Sequence, residues 1–181
     1  MAKNDNAHAL RLYNSLEIHC GNEVAEEFAS KYQLSKSANI EKKFEWANNV
    51  CQFLSGRYDD EEVMNIRMDC ACGPEIGKCK KVKEIFDKVV SPENFVDRVN
   101  KLNLGYTLEY DGESYFLIYP QCYCSCVKNI PQNLPEAWCY CTIGYTKRMF
   151  EFAFEYEVEV ELINSVKLGA DNCRIRVRKK R

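Results

Sequence analysis

The chain has 181 residues, of which 46% are hydrophobic and 29% charged, with a formal net charge of -2 and a pI near 5.8. That balance is ordinary for a globular protein and provides no long-range attraction to nucleic acid or an anionic membrane, so neither is an expected partner. A chain of this length fits one domain, or one domain with a helical extension, and can bury roughly 70% of its unfolded surface without staples.

The opening residues, MAKNDNAHALRLYNSL, lack the apolar core of a signal peptide, and no stretch approaches the ~18 apolar residues of a membrane span. A reducing cytoplasmic setting is the expectation. There, 11 cysteines point to metal or thiol chemistry more than to disulfides, and the odd count forbids complete pairing within the chain.

In chain order, Leu10, Tyr13 and Leu16 predict a helix ending near Gly21, and Val24, Phe28 and Tyr32 a second. After Ser37, the residues Ile40, Phe44, Ala47, Cys51 and Leu54 share one helical face, with Gly56 as the stop. Asp59 followed by Glu62 has the spacing of a capping box. Val82, Ile85, Phe86 and Val89 mark a further helix, and Ser91-Pro92 opens another with serine as cap and proline at the first turn. Strands follow. Tyr106–Tyr110 and Glu113–Tyr119 flank Asp111-Gly112, which predicts a hairpin with a tight type I′ turn. Trp138–Thr142 reads as a short strand, and Gly144 precedes a helix containing Tyr145, Met149 and Ala153. In the last segment Val158, Val160 and Leu162 alternate with glutamates, while Cys173, Ile175 and Val177 alternate with arginines. If these strands pair, acidic and basic side chains share the exposed face, which accounts for the basic tail better than a nucleic-acid patch does.

Helices first and strands later is an α+β pattern. We expect residues 1–103 to be mainly helical and 104–181 to be an α+β region, making one joint domain in which N-terminal helices pack on a C-terminal antiparallel sheet with a short helix.

Eight cysteines are grouped: Cys70, Cys72 and Cys79; Cys122, Cys124 and Cys126; Cys139 and Cys141. Residues two apart on a strand lie roughly 6.6 Å apart. Tetrahedral zinc needs sulfurs within about 4 Å of each other, so one Cys-x-Cys strand does not chelate a metal by itself. A site gathered from two or three groups fits better, and all eight are candidate metal ligands. Zinc leads, and an iron–sulfur cluster is the alternative, although the spacing matches neither a zinc finger nor a ferredoxin. Cys51 and Cys173 fall on apolar faces and read as buried structural thiols, whereas Cys20 stays open. Lysines around Cys79 could activate its thiol, but a solvated helix face is the favoured reading. Among the clustered aromatics, Tyr119, Trp138, Tyr145 and Phe150 are candidate pocket residues, with core packing the commoner fate of such groups.

The segments Trp138-Cys139-Tyr140-Cys141-Thr142-Ile143-Gly144-Tyr145 and Ser165–Ile175, the second containing Gly169-Ala170-Asp171-Asn172-Cys173, resemble the 4-vinyl reductase family of small-molecule-binding domains. They are also similar to L-2-amino-thiazoline-4-carboxylic acid hydrolase-like bacterial proteins. The resemblance covers roughly residues 104–178. It implies a helix-covered antiparallel sheet, a small-molecule pocket, and metal held by Cys139 and Cys141. The expected function is therefore a metal-binding protein with a vinyl-reductase-like ligand-binding or sensor domain. A cysteine-dependent hydrolase, a thiol redox enzyme and a metal-stapled structural protein are the alternatives. Oligomeric state is left open by the sequence.

Overall fold

A computed structural model describes residues 5–73 and 76–180. The fold is α+β, with helices α1 (Ala7–Cys20), α2 (Asn22–Lys31), α3 (Ile40–Ser55), α4 (Asp60–Asp69), α5 (Ile76–Phe86), α6 (Pro92–Asn100) and α7 (Tyr140–Phe154). Strands β1 (Thr107–Tyr110), β2 (Tyr115–Tyr119), β3 (Val158–Asn164) and β4 (Cys173–Lys179) complete it. The chain forms two compact units: residues 1–71 with 123–144, and residues 72–122 with 145–181. Among the described residues no helix is long and apolar enough to cross a membrane.

The first unit is helical. Gly21 separates α1 from α2 at φ +89°, a left-handed conformation that a side chain rarely adopts. The cap of α3 is Asn39, whose side chain accepts from the Lys42 N–H. The capping box of α4 is present: Asp59 accepts from the Glu62 N–H and the Glu62 side chain accepts from the Asp59 N–H. Asp59→Ala is expected to lower the unfolding free energy by ~1 kcal/mol, the usual worth of such a cap, measured by urea denaturation. Ser15 donates to the Ile66 carbonyl at 2.6 Å inside the protein and joins α1 to α4.

The second unit contains an antiparallel sheet in the order β1-β2-β4-β3. Leu108, Leu117, Ile175 and Leu162 are cross-strand neighbours in one row of this sheet. That face packs on Val82 of α5, Phe95 and Val99 of α6, and Met149, Phe150 and Phe154 of α7. The opposite face carries the charges. Arg178 meets Glu159 at 2.7 Å, Arg176 meets Glu161, and Arg174 reaches Glu109 at 2.8 Å. The arginines of the tail are thus paired across strands, as their alternation predicts.

Two local expectations are corrected. The hairpin loop has four residues, because Tyr110 pairs with Tyr115. Asp111 accepts from the N–H groups of Glu113 and Ser114, so its side chain closes the loop and only Gly112, at φ +100°, takes a positive φ there. Trp138–Thr142 is not a strand: a 3-10 turn at Glu136–Cys139 runs directly into α7. Pro135 fixes the start of this turn, and Gly144 falls inside α7 instead of before it. A Cβ at Gly144 would lie 2.1 Å from the Met68 carbonyl oxygen, so the glycine serves the close approach of α7 to α4.

Candidate functional site

The site is built in the first unit around Arg67. This residue follows Val63 by one helical turn and lies on the buried face of α4. It is only 3% exposed, and among the described residues it has no carboxylate partner. Its guanidinium donates to the carbonyls of Ala137 (3.2 Å) and Trp138 (2.9 Å) and stacks 4.5 Å from the Trp138 ring centre. Burial opposes its charge. The thiols of Cys70, Cys141, Cys51 and Cys124 surround it and hold its protonation above the ordinary arginine range. A buried cation without an anion is costly, so an anion among these sulfurs is the physically economical arrangement.

Cys124 is the sulfur suited to that role. A helical turn begins at its carbonyl, which accepts from the N–H groups of Val127 (3.0 Å) and Lys128 (2.9 Å). This turn folds the chain back toward Cys124, and Cys126 favours the anionic form of the Cys124 sulfur. The buried indole N–H of Trp138 has no hydrogen-bond partner among the described residues, and its positive end favours the same anion. The Cys126 thiol is the largest influence, and with Trp138 and the Arg67 charge it outweighs burial and lowers the Cys124 pKa to about 6. Cys126 is driven the other way, by the neighbouring Cys124 and by burial.

Of the remaining thiols of this unit, Cys20 is half-buried. Cys70 donates to the Ile66 carbonyl at 3.3 Å, and burial raises its pKa. Burial pushes Cys51 up to about 11. Cys141 donates to the Trp138 carbonyl at 3.5 Å, and Cys139 is buried in the 3-10 turn. In the other unit, Cys72 is exposed, Cys122 and Cys173 are half-buried, and Cys79 is a core residue. Burial raises the Cys79 thiol, so its neighbouring lysines do not activate it.

Histidine enters unexpectedly. His8 of α1 lies 3.0 Å from the Ser125 hydroxyl, between the two key cysteines in sequence. Arg11 donates to its Nδ1 at 3.1 Å, so the neutral ring carries its proton on Nε2 and donates to Ser125. Burial first, then the charges of Arg11, Arg67 and Lys43, lower the His8 pKa to about 4. The ring is neutral at physiological pH.

Of the candidate pocket residues, Trp138 is part of this site. Phe150 is fully buried in the core of the second unit, where Tyr119 and Tyr145 pack beside it. Burial keeps the Tyr119 hydroxyl protonated.

The expected metal centre is corrected here. Among the described residues no three or more His, Cys, Asp or Glu side chains are grouped to hold a metal ion. The sulfurs instead gather around a guanidinium, whose fixed positive charge repels a second cation, and Cys126 keeps its proton. Neither zinc nor an iron–sulfur cluster is supported by this arrangement.

Comparison with known proteins completes the description. The chain belongs to the family described as "Family of unknown function (DUF6144)", which matches residues 1–181. This overturns the resemblance to the 4-vinyl reductase and thiazoline hydrolase-like groups, whose first motif was read on a strand that is in fact a 3-10 turn and helix. No curated protein matches the chain. Among solved structures it is similar to an H-NOX protein from S. oneidensis in the Fe(II)NO ligation state, at 16% identity and a TM-score of 0.46, covering 97% of this chain and 99% of that one. It is likewise similar to an H-NOX domain from Shewanella oneidensis in the Fe(II)CO ligation state, at 16% identity and a TM-score of 0.47, covering 97% and 98%. Those ligation states belong to the neighbours, and likeness at this level carries no conclusion about the cofactor or activity of this chain.

Proposed function

We propose that Cys124 and Cys126 form a reactive dithiol, with Cys124 as the attacking thiolate and Cys126 as the resolving thiol. What supports this reading is the helical turn that starts at the Cys124 carbonyl and brings Cys126 back toward Cys124, beside a buried arginine that lacks a carboxylate, with Cys126 the largest influence lowering the Cys124 thiol. A thiolate is the nucleophile in thiol–disulfide exchange, and one with a pKa just below the ambient pH combines full ionisation with retained nucleophilicity. Cys124 is half-buried and flanked by the exposed Tyr123 and Ser125.

The test is alkylation of reduced protein by iodoacetamide across a pH series, with each cysteine quantified by peptide mass spectrometry. Cys124 is expected to reach half its maximal rate at about pH 6. Cys126→Ala is expected to move that midpoint upward by about one pH unit, corresponding to the ~1.5 kcal/mol of a hydrogen bond to a charged group. A Cys124 midpoint in the ordinary thiol range, unaffected by Cys126→Ala, contradicts the reading.

A further inference from the structure

His8 differs in its partners from the chain's other histidine. His19, near the end of α1, meets the Asp69 carboxylate at 2.8 Å, whereas among the described residues no carboxylate pairs with His8. Both ring nitrogens of His8 are engaged. Nδ1 accepts from a terminal nitrogen of Arg11 at 3.1 Å, and Nε2 lies 3.0 Å from the Ser125 hydroxyl. Arg11 is itself fixed, because its Nε donates to the Cys70 carbonyl at 3.1 Å. A guanidinium has no lone pair to offer, so the contact at Nδ1 exists only while that nitrogen carries no proton. Ser125 is exposed in the turn that begins at the Cys124 carbonyl, and among the described residues His8 is the partner of its hydroxyl. Arg11, His8 and Ser125 thus form a chain of hydrogen bonds that ties this turn to α1 across 117 residues of sequence.

We infer that His8 is an acid-released latch: neutral, it holds the Cys124 turn on α1, and protonated, it lets the turn go. Protonation places an N–H on Nδ1, where it faces the N–H donors of Arg11 at 3.1 Å. An accepting contact becomes a clash of two cations, and one of them must move. Arg11 stays held by the Cys70 carbonyl, so the ring is the freer of the two. The other groups around the ring offer the imidazolium no compensation. The charges of Arg67 on α4 and Lys43 on α3 add to that of Arg11. The Trp138 ring centre lies 6.5 Å away, beyond the roughly 6 Å reach of a cation–π contact, and Arg67 already stacks 4.5 Å from it. A displaced ring takes its hydrogen bond with it, and Ser125 loses its tie to α1. The Val127 and Lys128 amides, which close the turn on the Cys124 carbonyl at 3.0 and 2.9 Å, then open more often. The latch is independent of any thiol chemistry at Cys124, since no sulfur enters it.

The experiment follows the full-length protein by NMR from about pH 7 to about pH 3. It reads the histidine ring signals and the exchange of the Val127 and Lys128 amides, corrected for the intrinsic effect of pH. His8 is expected to titrate at about 4. Exchange of both amides should rise by about tenfold over the same step, the worth of one ordinary hydrogen bond. Far-UV circular dichroism should stay constant through it. Arg11→Gln removes the facing cation and should move the step upward by about one pH unit. His8→Gln supplies a donor and an acceptor without a titrating proton, and should abolish the step. Exchange that is indifferent to the His8 titration overturns the latch, as does a step that persists in His8→Gln. Loss of the far-UV signal in the same step also overturns it, because the turn would then open only through global unfolding.

Discussion

Arg67→Met is expected to lower the unfolding free energy by about 3–5 kcal/mol, the usual cost of removing one partner from a buried charged arrangement. The methionine keeps much of the apolar stem but deletes the donors to Ala137 and Trp138 and the cation over the Trp138 ring. Two buried carbonyls are then left without these donors, and the Cys124 anion loses its counter-charge. The same variant should therefore shift Cys124 alkylation to higher pH. Arg67→Lys retains a charge but not the planar fork, so it should recover only part of both effects. The penalty of Arg67→Met should also be smaller when Cys124 is already alanine, since no anion is then stranded; a double-mutant cycle measures this coupling. Strict additivity of the two substitutions would mean that the charge and the sulfur do not interact.

The second large effect is expected at Gly144. A methyl group there meets Met68 backbone atoms at 2.1, 2.7 and 2.8 Å, and backbone cannot rotate away as a flexible side chain can. Gly144→Ala should cost at least the ~1–3 kcal/mol typical of overpacking, even though alanine is the better helix former by ~1 kcal/mol. Urea denaturation checks the sign directly. A stabilising substitution would mean that α7 moves off α4 without loss. Because α4 also carries Arg67, movement there should appear as slower Cys124 alkylation at neutral pH.

Stability should also depend on pH through the site. The Cys124 pKa is lower in the folded protein than the ordinary value near 9, so the unfolded chain binds more protons between about pH 6 and 9. The contribution of Cys124 is fully present above the unfolded value and is lost as pH falls through about 6. His8 acts in the same sense at lower pH, between 6.5 and about 4, because its neutral form is the one that is buried. Comparing wild type with Cys124→Ser separates the two windows.

Much of the fold was legible because it follows from short-range chemistry. The Asp59–Glu62 capping box, the Ser91-Pro92 helix start and the alternating charges of β3 and β4 each depend on residues a few positions apart, and each is present. Trp138–Thr142 was misread because a short apolar run has no period that separates strand from helix, and tertiary contact between Gly144 and Met68 decides the matter. The cysteine groups were read as a metal centre, and among the described residues no three or more His, Cys, Asp or Glu side chains are grouped to hold one. Their partner was missed: Arg67 falls on the same helical face as Val63, and a charged residue in that position was the available signal. His8 is separated from Ser125 by 117 residues, so no spacing rule could have joined them.

The most direct test of the account is an ultraviolet thiolate titration of the reduced protein, repeated on Cys124→Ser. The account predicts one thiolate absorbing already at neutral pH, titrating with a midpoint of about 6 and absent from the variant. Identical titrations in which every thiolate appears only in the ordinary range or above would contradict it.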